Sequence, residues 1–240
     1  MSGPPLLRSM MFVPGNDPRL LDSASRSDAD ALILDLEDSV PSGSQKQAAR
    51  DTIRAALDQG QFAERTLFVR VNDQESGHLP ADVLALAFPG IAGFVYPKCR
   101  SVADITYFDD LLTAVEADRG LPPGTFSMVL LIETPAAVLH AEDLCRASPR
   151  VVALAFGCED FIAELCTLHR GDPHTLPDAA LRWHFRETFT REIELLRELT
   201  LALCGTPTCE ADTFIPLALL ADYDCFAGRE GETRTVRGEA

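Results

Sequence analysis

The sequence predicts an α/β protein built on a parallel sheet of the TIM (β/α)8-barrel type, and three observations predict it. Short apolar runs alternate with helix-like segments, the pattern of a parallel sheet with helical crossovers. At least six such units follow one another. No glycine-rich phosphate loop follows the first of them, which argues against a Rossmann sheet.

Each element has its own justification. Residues 10–13 (MMFV) make a short apolar first strand, followed by a helix-like 18–26. Residues 31–36 (ALILDL) are apolar up to a group of acids, and 45–59 reads as the next helix. Residues 66–71 (TLFVRV) are β-branched and aromatic, as strands favour, and precede a helix at 80–87. The short GFVY at 93–96 precedes a helix over 102–118. MVLLI at 128–132 is strongly apolar and leads to a helix over 135–147. VVALAF at 151–156 leads to a helix over 160–168. A longer segment, 178–203, reads as one or two helices with Gly205 as a stop.

Composition bounds the function. The chain has 240 residues, enough for one large α/β domain, and is 46% hydrophobic, enough for a sizeable core. Its net charge of −16, from 37 acids against 21 bases, argues against non-specific nucleic-acid binding and against docking on anionic lipid. A few local Arg and Lys residues can still receive an anionic small molecule. No apolar run approaches the ~20 residues that span a bilayer. The N-terminal MSGPPLLRSMMFVPGNDP lacks a charged segment followed by a long apolar one, so a cytoplasmic protein is expected. Seven cysteines, at 99, 145, 158, 166, 204, 209 and 225, form an odd, scattered set without a CxxC pair, as expected of buried thiols in a reducing compartment. Cys166, His169 and His174 have loosely metal-like spacing, which is read as a chance cluster near a helix end. The five histidines lie away from the strand ends and no GxSxG occurs, so a nucleophile-based hydrolase is not expected.

In a barrel the chemistry sits at the carboxyl ends of the strands. The second strand ends in Asp35, Glu37 and Asp38, and the third carries Arg70 and Asn72. Lys98 follows the fourth, Glu133 and Thr134 the fifth, and Glu159 and Asp160 the sixth; Arg8 and Ser9 precede the first. An acid at one helix start is ordinary capping chemistry. Polar residues at the same end of successive strands converge on one mouth. There Glu133 and Asp160, on adjacent strands, make the best carboxylate pair for Mg²⁺, which prefers a few carboxylates plus substrate oxygens and waters. Arg70 would face an anionic substrate or a developing oxyanion.

The stretches RSMMFVPGNDP, LILDLEDSVP, KQAARDTI, VRVND, YPKCRS, LLIETPAAV and AFGCEDFIAEL occur in this order. They resemble the citrate lyase beta-subunit-like family of Mg²⁺-dependent acyl-CoA lyases, within the HpcH/HpaI aldolase/citrate lyase superfamily of TIM barrels. The resemblance implies Mg²⁺ ligands at Glu133 and Asp160 and a substrate-contacting arginine at Arg70. It implies an acid near substrate at Asp38, with Glu37 behind it. Arg8, Lys46 and Arg50 match basic positions near the coenzyme A phosphates. Asn72, Lys98 and Gly157 complete the substrate side of the match. The implied chemistry is retro-Claisen cleavage of a citramalyl-, malyl- or citryl-CoA type thioester to acetyl-CoA and a 2-keto acid. The implied assembly is a homo-oligomer, a trimer or a dimer of trimers. Two other readings stand beside it: a non-catalytic member that binds CoA thioesters or a protein partner, and a Mg²⁺-dependent 2-keto acid aldolase.

The last third departs from the family pattern. GTPTCEADTF is a candidate seventh strand, with Glu210 where an aspartate is usual. LADYDCFAGREGE carries a trace of the next element, but no IHP follows. The expectation is a single barrel-type domain over 1–228, with an incomplete or remodelled C-terminal strand left open, and a polar tail over 229–240.

Overall fold

A computed structural model describes residues 7–168 of the chain. Six strands, β1 (Met10–Pro14), β2 (Ala31–Asp35), β3 (Thr66–Arg70), β4 (Gly93–Tyr96), β5 (Ser127–Ile132) and β6 (Val151–Phe156), form one sheet. All neighbours are parallel and their order in the sheet is their order in the chain. Sequential order without reversal is the winding of a barrel, not of a doubly wound sheet. Among the described residues the sheet is an arc with β1 and β6 at its edges. The expected helix over 178–203, the two last strands and the tail lie outside the described residues.

Helices α1 (Pro18–Ser25), α2 (Ser44–Asp58), α3 (Leu79–Leu86), α4 (Val102–Asp118) and α7 (Cys158–Leu168) each follow a strand. Local chemistry starts several of them. Asp17 accepts from the Arg19 amide ahead of Pro18, and Ser101 with Asp104 forms a capping box at α4. The segment expected as one helix over 135–147 is two, α5 (Pro135–Leu139) and α6 (Ala141–Arg146). The chain leaves helical geometry at His140, which closes one helix and opens the other. No Pro or Gly marks that break.

Side-chain parity divides the sheet into two faces. Leu32, Leu34, Leu67, Val69, Phe94, Tyr96, Leu130 and Ile132 face the helices and pack with Leu21, Ile53, Val83, Phe108 and Leu112. Ala31, Ile33, Phe68, Val95, Val129, Leu131 and Ala153 form a smaller cluster on the other, inner face. Because strand side chains alternate, the next inward positions are fixed. Two residues beyond Ile33, Phe68 and Leu131 stand Asp35, Arg70 and Glu133. The inner face is therefore apolar at its base and charged at its carboxyl edge.

The opposite end is held by a buried clamp. Arg150, just before β6, donates to both carboxylate oxygens of Glu116 on α4, at 2.6 and 2.7 Å, and to Asp109 at 2.6 Å. Glu116 also accepts the amides of Gly124 and Phe126. Every oxygen of this buried carboxylate is satisfied, the condition for tolerating an ion pair in a core.

Candidate active site

Asp35 and Arg70 are partners in the β2–β3 register and meet side by side on the inner face. Nε and one terminal nitrogen of Arg70 donate to the two oxygens of Asp35, each at 2.7 Å. Asp35 also accepts the amides of Glu37 and Ser39 and so shapes the turn that carries the other acids. Burial raises its pKa, but these donors prevail and hold it below the usual carboxylate range. The remaining nitrogen of Arg70 lies 2.9 Å from Glu37 and 3.2 Å from Asp38, and its guanidinium stacks over Phe12. Asp35 was an acid of the mouth in the sequence but had no role there; its position two past Ile33 was the available signal.

Lys98 connects the second half of the cluster. It adopts φ +51°, a left-handed conformation that side chains other than Gly, Asn and Asp seldom take. From there its amide donates to Glu133 at 2.7 Å. Its ammonium lies 2.7 Å from Glu37, 3.6 Å from Asp38 and 3.8 Å from Asp160. Gly157 closes the site behind Glu133: a Cβ there would fall 2.5 Å from Glu133 Oε2. Thr134 caps α5 through the Ala137 amide and so anchors the chain beyond Glu133.

Two of these acids are displaced toward neutrality. Burial, with the neighbouring charge of Glu37, pushes Glu133 up to about 8. Burial raises Glu37 to about 7 against the pull of Arg70 and Lys98. Both Glu37 oxygens sit at ion-pair distance from these cations yet lack hydrogen-bond geometry.

The cluster opens on a cleft of about 470 Å³ lined by Glu37, Asp38, Lys46, Asn72, His78 and Lys98, among others. Lys46 is buried and donates to the carbonyls of Leu36 and Glu37, each at 2.7 Å. Arg50 is buried against Asp82 at 2.7 Å and also donates to Gln47. Neither offers a free cation to solvent in this structure. Asn72 is buried and held by Asp82. Asp82, which reads in sequence as an ordinary first-turn acid of α3, escaped the sequence reading. Arg8 is not brought to the site. It pairs with Asp30 at the amino end of β1 and β2, the opposite end of the sheet, because it precedes its strand.

The donor set suits a divalent cation. The carboxylates of Asp35, Glu37, Asp38, Glu133 and Asp160 outnumber the cations Arg70, Lys98 and Lys46. Glu133 is buried with one amide donor and no ion pair among the described residues. No three His, Cys, Asp or Glu side chains among the described residues gather closely enough to hold a metal alone.

Sequential parallel strands with charged side chains at the carboxyl edge define a TIM-barrel-type α/β protein whose site lies at its strand ends. Residues 8–183 match the HpcH/HpaI aldolase/citrate lyase family, and the chain belongs to it. Over 178 residues it is 33% identical to citrate lyase subunit beta of Leuconostoc mesenteroides subsp. cremoris, covering 74% of this chain and 57% of that protein. Over 165 residues it is 35% identical to L-malyl-CoA/beta-methylmalyl-CoA lyase of Rhodobacter capsulatus, covering 67% and 51%. The chain thus spans about half the length of the curated relatives it matches. A solved structure of citrate lyase beta subunit from M. tuberculosis, complexed with oxaloacetate and magnesium, superposes with a TM-score of 0.52 and 26% identity, covering 81% of this chain and 74% of that one. Among the described residues no helix is long and apolar enough to cross a membrane.

Proposed function

We propose that the chain is a Mg²⁺-dependent carbon–carbon lyase that cleaves a 3-hydroxy-3-carboxyacyl-CoA to acetyl-CoA and a 2-keto acid. The observation that carries this reading is the pairing, at one strand-end mouth, of a pre-oriented Arg70 with a buried Glu133 that makes no ion pair among the described residues. The names of the relatives support the substrate class: a malyl-CoA lyase, and a citrate lyase beta subunit crystallised with a 2-keto acid and magnesium.

Glu133 and Asp160 would hold the metal. When bound, Mg²⁺ supplies Lewis-acid polarisation of the substrate's hydroxyl and carboxylate oxygens. Asp35 occupies one edge of the Arg70 guanidinium, which leaves the nitrogen beside Glu37 and Asp38 to turn toward a substrate oxygen. Asp38, more than half exposed at the mouth of the cleft, takes the hydroxyl proton through a water molecule. The oxygen's electron pair then forms the keto group, and the C–C bonding pair moves onto the thioester as an enolate. Arg70 faces that developing charge. A proton returned to the α-carbon yields acetyl-CoA. Lys98 holds Glu133 through its amide and Glu37 through its ammonium.

The test is acetyl-CoA release from citramalyl-, malyl- and citryl-CoA, with Mg²⁺ and with EDTA. Mg²⁺-dependent release from one of them is expected and names the substrate. No release from any, by folded protein, overturns the lyase reading. CoA binding without turnover would then select a binding role, and turnover of a free hydroxy keto acid an aldolase.

A further inference from the structure

We infer that Asp82 is a positioning residue that turns the Asn72 side chain so that its carboxamide oxygen, not its NH₂, faces the cleft and accepts a hydrogen bond from the substrate. The inference rests on the acyl-CoA reading for its ligand but not for its geometry.

Asp82 is fully buried and forms an ion pair with the buried Arg50. Its Oδ2 accepts two bonds from one residue, the Asn72 amide at 2.8 Å and Asn72 Nδ2 at 2.7 Å. Its Oδ1 accepts Arg50 Nε at 2.7 Å. Arg50 is itself fixed by Gln47 Oε1 at 2.9 Å and lies 3.4 Å from His78 Nδ1. An ionised carboxylate can only accept, so the Asn72 amide cannot flip without setting two acceptors against each other. One polar atom of this buried side chain is left over. Asn72 Oδ1 has no hydrogen-bond partner among the described residues, and Asn72 lines the cleft. A buried, oriented acceptor without a donor among the described residues is a recognition element for a substrate donor.

An acyl-CoA of this class carries two kinds of donor near its reacting end, the acyl hydroxyl and the amide N–H groups of the pantetheine arm. The shared chemistry is a neutral O–H or N–H donor. A substrate that offers an acceptor at this point is rejected, because it would face an oxygen that cannot turn away.

The orientation is read first in wild-type protein, by NMR of the Asn72 side-chain amide, assigned by its loss in Asn72→Asp. Protected, slowly exchanging Nδ2 protons are expected; exchange at the rate of a free amide overturns the inference, whether or not any variant folds. Asp82→Asn is then compared with wild type in turnover and in acetyl-CoA binding by calorimetry. The KM is expected to rise about tenfold with kcat little changed, as for one lost substrate hydrogen bond. Weaker acetyl-CoA binding assigns the donor to the pantetheine arm. Unchanged acetyl-CoA binding with a raised KM assigns it to the acyl hydroxyl. A folded Asp82→Asn with wild-type KM and wild-type binding sinks the inference. Wild-type protein that turns over no acyl-CoA sinks the lyase reading instead and leaves the NMR result to stand by itself.

Discussion

The acids of LDLED divide their labour within four positions. Asp35 faces inward, takes four donors and clamps Arg70; Glu37 sits buried between two cations; Asp38 is exposed at the cleft. Replacing Arg70 therefore has two effects. Arg70→Ala leaves Asp35 buried without its partner, and the folded state is expected to lose roughly 3–5 kcal/mol, read from urea unfolding. Arg70→Lys keeps a charge there but cannot grip both oxygens of Asp35 and also reach a substrate. It is expected to keep most of the stability and lose most of the turnover, which separates the two roles. Glu133→Gln is expected to weaken Mg²⁺ binding strongly in calorimetry, whereas unchanged binding would remove Glu133 as a ligand. In wild-type protein Mg²⁺ must displace a proton from a carboxyl raised to about 8. Affinity is then expected to increase from pH 6 to about pH 8 and level off.

The elements were largely legible from the chain, and the reasons are physical. Every strand of β1–β6 was expected within a residue or so of its place, because a buried parallel strand is a short apolar run with no competing pattern. The break at His140 was hidden, since no Pro or Gly marks it. The charged edge was legible because barrel chemistry falls at strand ends. The pairings were not: Asp35 with Arg70, Asp82 with Asn72 and Lys98 with Glu133 join residues far apart in the chain or across a turn. Arg8 shows the converse, since its place before β1 already put it at the amino end, against what the resemblance implied. The β6–α7 turn supplies a test at this scale. Gly157→Ala would set a methyl group 2.5 Å from Glu133 Oε2, so the carboxylate or the turn must move. Weaker Mg²⁺ binding with an unchanged fold by circular dichroism is expected; wild-type binding would mean that the turn yields freely.

For the molecule as a whole, the two groups of buried acids pull stability in opposite directions with pH. Asp35 and Glu116 sit below their ordinary values; Arg70 and Arg150 respectively overcome burial. Their contribution is present above the unfolded pKa of about 4 and is lost as pH falls through the lower folded values. Glu37 and Glu133 are raised, to about 7 and about 8. Theirs is present below the unfolded value and is lost as pH rises through 7 and 8. Metal-free protein is therefore expected to be most stable near the unfolded carboxyl values, at about pH 4–5, read as the urea midpoint across pH 3–9 in EDTA. Glu133→Gln should flatten the alkaline limb, and Glu116→Gln should lower the maximum. A profile that rises steadily to pH 9 would contradict the burial of Glu133.

The strand order has one more consequence, and it concerns synthesis. Each strand pairs with the one made just before it. A chain leaving the ribosome amino end first always finds its next docking partner already in place, and no strand waits for a distant mate. The Asp35–Arg70 clamp can close as soon as the third strand emerges, well before Glu133 is translated. The charged edge of the sheet is thus assembled in the order in which it is read from the message.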